Sequence, residues 1–105
     1  MWKRVVNSGS TVKEGTISGA GEVSIAISES DIYELGVYDN YYSGSSADMY
    51  GHAYVNDAVV IDGADSDNRW TTWVGYIAAG ATVKFKATVN QNSGSVKYRI
   101  RNNLC

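Results

Sequence analysis

The chain has 105 residues, enough for one domain, and at that length folding buries only about two-thirds of the surface the unfolded chain exposes. One modest core is the expectation, with little depth for a water-excluding active site. The single cysteine, Cys105, excludes a disulfide within the chain, and no run approaches the ~20 apolar residues that span a bilayer, so no membrane insertion is expected.

In chain order, the dominant period is two, the signature of half-buried strands. Trp2–Val6 and Thr11–Ile17 read as strands around the turn Asn7-Ser8-Gly9-Ser10. Glu22–Ser28 follows, with Val23, Ile25 and Ile27 on one face, and then Ile32–Tyr38, with Tyr33, Leu35 and Val37. Tyr50–Asn56 and Ala58–Asp62 are weaker strands around Asn56-Asp57, and Arg69–Ile77 places Trp70, Thr72, Val74 and Tyr76 on one side. The only helical candidate, Ile77–Ala81, is short and interrupted by Gly80. Thr82–Val89 alternates Val83, Phe85, Ala87 and Val89 against Thr82, Lys84, Lys86 and Thr88. Ser95–Arg101 alternates Val96, Tyr98 and Ile100 against Lys97, Arg99 and Arg101. The polar loop Asn90-Gln91-Asn92-Ser93-Gly94 between them predicts an antiparallel hairpin. Eight or nine short strands at even spacing predict a single all-β domain over residues 1–105, a two-sheet antiparallel sandwich of jelly-roll-like form. There is no proline, so the turns fall to glycine, asparagine, aspartate and serine.

Charge is divided along the chain. Residues 1–67 hold all eleven acids and three bases, and residues 68–105 hold six bases and no acid. In the expected hairpin, Lys84, Lys86, Lys97, Arg99 and Arg101 share one side, and like charges facing each other destabilise a ribbon. A neighbouring strand bearing Glu14 or Glu22, the acidic half of a second subunit, or an anionic ligand would each offset them, unless the cations splay into solvent and protect an edge. Nucleic acid is not the expected partner, because the chain is acidic overall and its aromatics do not interleave with these bases.

Tyr38–Gly51 combines tyrosine with serine, glycine and asparagine, a composition that supplies rigid contact area and adaptable hydrogen bonds. Tyr38, Asn40, Tyr41, Tyr42 and Tyr50 are therefore the candidate ligand-binding residues, for a glycan or a protein. The alternative is a solvated loop whose tyrosines cover the end of the sandwich or pack between subunits. His52, the one histidine, has no nucleophile motif around it, so no catalytic residue is assigned and an enzyme is not expected. One histidine and a terminal cysteine do not make a zinc site, and residues 62–68 lack the spacing of a calcium loop, although their oxygen-rich character leaves calcium open. No nucleotide-binding glycine motif is present, and no cofactor is expected.

The run from Tyr76 to Ala87, Tyr-Ile-Ala-Ala-Gly-Ala-Thr-Val-Lys-Phe-Lys-Ala, resembles a pattern in small β-modules of bacteriophage tail and virion proteins. Residues Asn90–Asn102 and the opening Trp2–Ser10 are similar to the same modules, and together these segments cover about a third of the chain. The resemblance implies a self-associating virion or tail component, often trimeric, that contacts a host surface or another virion protein. It carries over no catalytic residues. The opening residues lack the long apolar run of a signal peptide, which agrees with assembly in a host cytoplasm and release by lysis.

Overall fold

A computed structural model of the chain describes residues 10–39, 48–64, 69–91 and 94–102. The expected strand Trp2–Val6, together with Asn40, Tyr41, Tyr42 and Cys105, lies outside the described residues. The described residues form eight strands: β1 Ser10–Ser18, β2 Gly21–Ala26, β3 Asp31–Asp39, β4 Asp48–Val55, β5 Ala58–Ala64, β6 Trp70–Ile77, β7 Thr82–Gln91 and β8 Ser95–Asn102. They build two four-stranded antiparallel sheets, in the orders β1-β8-β3-β6 and β2-β7-β4-β5, packed as a sandwich with the interleaved order of a jelly roll.

Alternation decides which side chains are buried. Val23, Ile25 and Ile27 of the β2 segment, Tyr33, Leu35 and Val37 of β3, Val83, Phe85 and Ala87 of β7, and Val96, Tyr98 and Ile100 of β8 all turn inward. The rings of Phe85 and Tyr98 stack across the two layers with centroids 4.9 Å apart. Glycine at position 15 makes room for this pair. A Cβ there would overlap the Tyr98 ring, which passes over the β1 backbone to reach Phe85.

Among the described strands, β4 and β5 are the only consecutive pair that share an edge. Their turn, Asn56-Asp57, has both residues at positive φ (49° and 68°), the two-residue form whose twist matches that of the flanking strands. Asn56 also holds β7: its amide donates to the Thr82 carbonyl at 2.9 Å, and its Oδ1 accepts the Thr82 amide at 3.0 Å.

Every other connection crosses between the sheets, and this overturns the expected hairpin of Thr82–Val89 with Ser95–Arg101. β7 lies between β2 and β4 in one sheet, and β8 lies between β1 and β3 in the other. The physical reason is reach. β7 runs on to Gln91 and β8 begins at Ser95, and the four Cα steps between them reach roughly 13–14 Å, enough to cross the ~10 Å between packed sheets.

The correction extends to the basic residues. Lys84 and Lys86 project from the outer face of the β2-β7-β4-β5 sheet, whereas Lys97, Arg99 and Arg101 project from the opposite face of the sandwich. They do not form one basic surface. The neighbouring strands supply the offset instead: Glu22 stands opposite Lys86, Glu14 opposite Arg99, and Glu34 opposite Arg101. The acidic first half of the chain is thus laid beside the basic second half within one domain.

Candidate functional site

The outer face of the β1-β8-β3-β6 sheet carries the densest group of functional side chains. Register puts Thr16, Lys97, Tyr38 and Trp70 in one row across the four strands, and Glu14, Arg99, Gly36 and Thr72 in the next. Because Gly36 has no side chain, the Trp70 ring can lie over β3; a Cβ at Gly36 would stand 3.0 Å from the ring. From there Trp70 meets Tyr38, with ring centroids 5.4 Å apart and tilted by 57°. The Arg99 guanidinium sits 3.9 Å from the Trp70 ring centre, and the Lys97 ammonium 5.3 Å from that of Tyr38. Such cation–aromatic contacts contribute about 0.5–1 kcal/mol each where water still reaches them.

Glu34 fixes the neighbouring cation. It accepts from Arg101 Nε at 2.7 Å and also contacts Nη2 of the same guanidinium, with both side chains largely covered. Partial burial and the nearby Arg101 charge pull the Arg99 pKa below the usual arginine value, while Glu34 and Glu14 pull it back up. Beside this group lies a depression of about 470 Å³ lined by Glu14, Gly15, Thr16, Trp70, Lys97 and Tyr98. It offers one aromatic wall, a carboxylate, an ammonium and a hydroxyl, within the size range of small-ligand sites.

The opposite face is arranged differently. Tyr50, His52 and Tyr54 alternate outward from β4 beside Thr88, Lys86 and Lys84 of β7. The Lys84 ammonium lies 5.0 Å from the Tyr54 ring centre and 3.9 Å from Asp57 Oδ1. A depression of about 340 Å³ here is lined by Glu22, Ser24, Asn56, Asp57, Thr82 and Lys84, without an aromatic wall.

His52 spans two neighbours. Its Nδ1 accepts the Gly63 amide at 3.0 Å, and its Nε2 lies 3.0 Å from Thr88 Oγ1. With Asp62 Oδ1 3.4 Å from Nδ1, the atoms outline a Thr–His–Asp line. The proton is on the wrong nitrogen for that chemistry. Since Nδ1 accepts from a backbone amide, Nε2 carries the hydrogen in the neutral ring and donates to Thr88, so it cannot take a proton from it.

Of the candidate ligand residues, Tyr38 and Tyr50 are described, and they project from opposite faces of the sandwich. The structure does not bring them into one site, because β3 and β4 belong to different sheets. Tyr38 instead joins Trp70, Lys97 and Arg99. Sequence reading does not reach Trp70, Gly36 or Glu34 as site residues. The alternation of Trp70, Thr72, Val74 and Tyr76 is visible in the sequence, but which face it covers depends on the sheet order. No cluster of three metal-ligating side chains occurs among the described residues. Most of the acidic stretch 62–68 lies outside them.

The fold and this face together define a jelly-roll-like β-sandwich with an aromatic and cationic group on one sheet. No family model, curated protein or solved structure matches the chain.

Proposed function

We propose that the protein is a non-enzymatic binding and structural module, self-associating and part of a virion or tail-associated particle. It contacts a host-surface glycan or protein, or another virion protein, through the outer face of the β1-β8-β3-β6 sheet. The observation that carries this reading is the Tyr38–Trp70–Arg99–Lys97 group beside a 470 Å³ depression. Aromatic and arginine side chains held by their neighbours lose little freedom on binding and dominate contact energies. The particle context is supported by the resemblance of the Tyr76–Ala87 and Asn90–Asn102 segments to phage modules and by the sandwich fold, which such particles use. Assembly in a host cytoplasm with release by lysis belongs to the same reading.

A lectin-like reading is favoured by the mixture of groups in the depression. The apolar face of a sugar ring stacks on Trp70, and its hydroxyls find Glu14, Thr16 and Lys97 within the same lining. A glycan array with the wild-type chain and Trp70→Ala tests it. The expected result is a defined set of glycans whose signal falls roughly tenfold or more in the variant, corresponding to about 1.4 kcal/mol of lost contact. A blank array with the wild-type chain sinks the lectin-like reading. A Trp70→Ala variant that retains every host-surface or virion-protein contact of the wild type sinks the assignment of the face.

A further inference from the structure

On the face opposite the aromatic group, the β4–β5 ladder is irregular where the one histidine sits. Gly51 pairs with Ala64 and Ala53 with Ile61, so a single β4 residue, His52, stands against two of β5, Asp62 and Gly63. A bulge of this kind takes an extra residue out of the regular ladder. Gly63 adopts a φ of 68° there, and its amide donates to a side chain, His52 Nδ1, at 3.0 Å. The other ring nitrogen, Nε2, is 3.0 Å from Thr88 Oγ1 of β7, so the ring bridges both neighbours of its strand. Beyond the bulge the ladder holds one further pair, Gly51 with Ala64. Before it, Ile61 is 5% exposed and belongs to the core. The end of β5 is therefore anchored at Ile61 by the core, and farther on by the imidazole and that one strand pair.

We propose that His52 is an acid-released latch that holds the end of β5, from Asp62 to Ala64, against β4. The bond to Gly63 needs a lone pair on Nδ1, and only the neutral ring has one there. A protonated ring carries a hydrogen on both nitrogens, which sets Nδ1–H against the Gly63 amide, donor to donor. The Thr88 bond survives, because Nε2 donates in both forms, and the ring stays held on that side. The charged groups around the ring divide. Asp62 Oδ1 is 3.4 Å from Nδ1 and attracts the charged form, but its carboxylate is 79% exposed and the attraction is weak there. Lys86 of β7 stands directly opposite His52 and opposes the charge, with Glu22 of β2 opposite Lys86 in turn. Tyr50 and Tyr54 flank the ring along β4, and Lys84, opposite Tyr54, is drawn to the Tyr54 ring and to Asp57. The lost Gly63 bond decides the direction. The closed end binds the neutral ring, so opening takes up a proton and acid favours it. Opening stops at Ile61, whose side chain is part of the core. The latch lies on the face opposite Trp70 and does not rest on the recognition reading.

NMR of the full chain between about pH 8 and pH 5, the range in which histidine ordinarily changes charge, tests it. At the upper end the His52 ring is expected as the neutral Nε2–H tautomer, read from its two nitrogen chemical shifts. As pH falls, the Gly63 amide resonance is expected to move with the same midpoint as the ring. After correction for intrinsic exchange, Gly63 is expected to lose at least roughly tenfold in protection at the lower end, while Phe85, in the middle of β7, keeps its own. His52→Gln keeps a carbonyl acceptor and cannot charge, so it is expected to level the Gly63 protection across the range. The wild-type measurements decide the matter even where that variant fails to fold. A neutral ring in the Nδ1–H tautomer, Gly63 protection that is unchanged through the ring titration, an equal loss at Phe85, or the same acid response in His52→Gln overturns the proposal.

Discussion

Tyr33 is the residue whose ionisation the fold resists most clearly. It is 3% exposed, and its hydroxyl donates to the Glu29 carbonyl at 2.6 Å. Burial raises its pKa, and the nearby Asp31 and Glu29 carboxylates raise it further. A raised value means that the unfolded chain loses this proton first, from the ordinary value of 10.0. The contribution of Tyr33 to stability is therefore complete below that pH and declines as pH rises toward the folded-state value. Tyr33→Phe gives up the hydrogen bond, at a cost of about 1 kcal/mol at neutral pH. In exchange it removes this part of the alkaline loss. Urea unfolding at neutral pH and above pH 10 checks both: the gap between wild type and variant is expected to narrow at high pH. A gap that widens there refutes the assignment.

At the scale of elements, the β4–β5 hairpin shows how local chemistry and strand partnership separate. Asp57 holds φ at 68°, a region that costs most side chains about 1–2 kcal/mol and glycine almost nothing. Against that cost stands a contact with Lys84 at 3.9 Å, made by a carboxylate that is 94% exposed and so worth little. Relief of the backbone wins, and Asp57→Gly is expected to stabilise the domain by about 0.5 kcal/mol, raising Tm by about 2–4 °C. Asp57→Val at the same position is expected to lower it. A scanning calorimeter distinguishes the two signs. This turn was legible in the sequence because Asn-Asp between alternating runs is a local signal. The faces of β2, β3, β7 and β8 were legible for the same reason: alternation reports the burial of one strand at a time. It does not report the neighbour. Lys84 and Lys97 therefore looked like companions and lie on opposite faces, while Arg99 and Trp70, 29 positions apart in the sequence, meet. β6 was ambiguous even locally, because Trp70, Val74 and Tyr76 on one side compete with Trp73 and Ile77 on the other. The core takes Ile77 and part of Trp73, and the set containing Trp70 is turned out to build the candidate site.

For the whole molecule, the charge division and the strand order are one property seen twice. Strands from the acidic half alternate with strands from the basic half: β1 beside β8, β8 beside β3, and β2 beside β7. Glu14, Glu22 and Glu34 can meet Arg99, Lys86 and Arg101 only after the C-terminal strands have inserted between the N-terminal ones. Neither β1 nor β3 has its complement of partners until β8 arrives, and β2 waits for β7. The one local pairing among the described strands, β4 with β5, is too small a ribbon to hold alone. Folding must close long loops before these contacts form, so refolding is expected in the millisecond-to-second range typical of sandwiches with distant pairings. The chain contains no proline, so the tens-of-seconds phase that prolyl isomerisation adds to many β-proteins has no source here. Stopped-flow refolding at low protein concentration, followed by the fluorescence of the three tryptophans, is thus expected to show one main phase. That phase should be insensitive to a prolyl isomerase and to the delay between unfolding and refolding. Microsecond refolding would mean that the non-local pairings do not limit the reaction, and would count against the strand order itself.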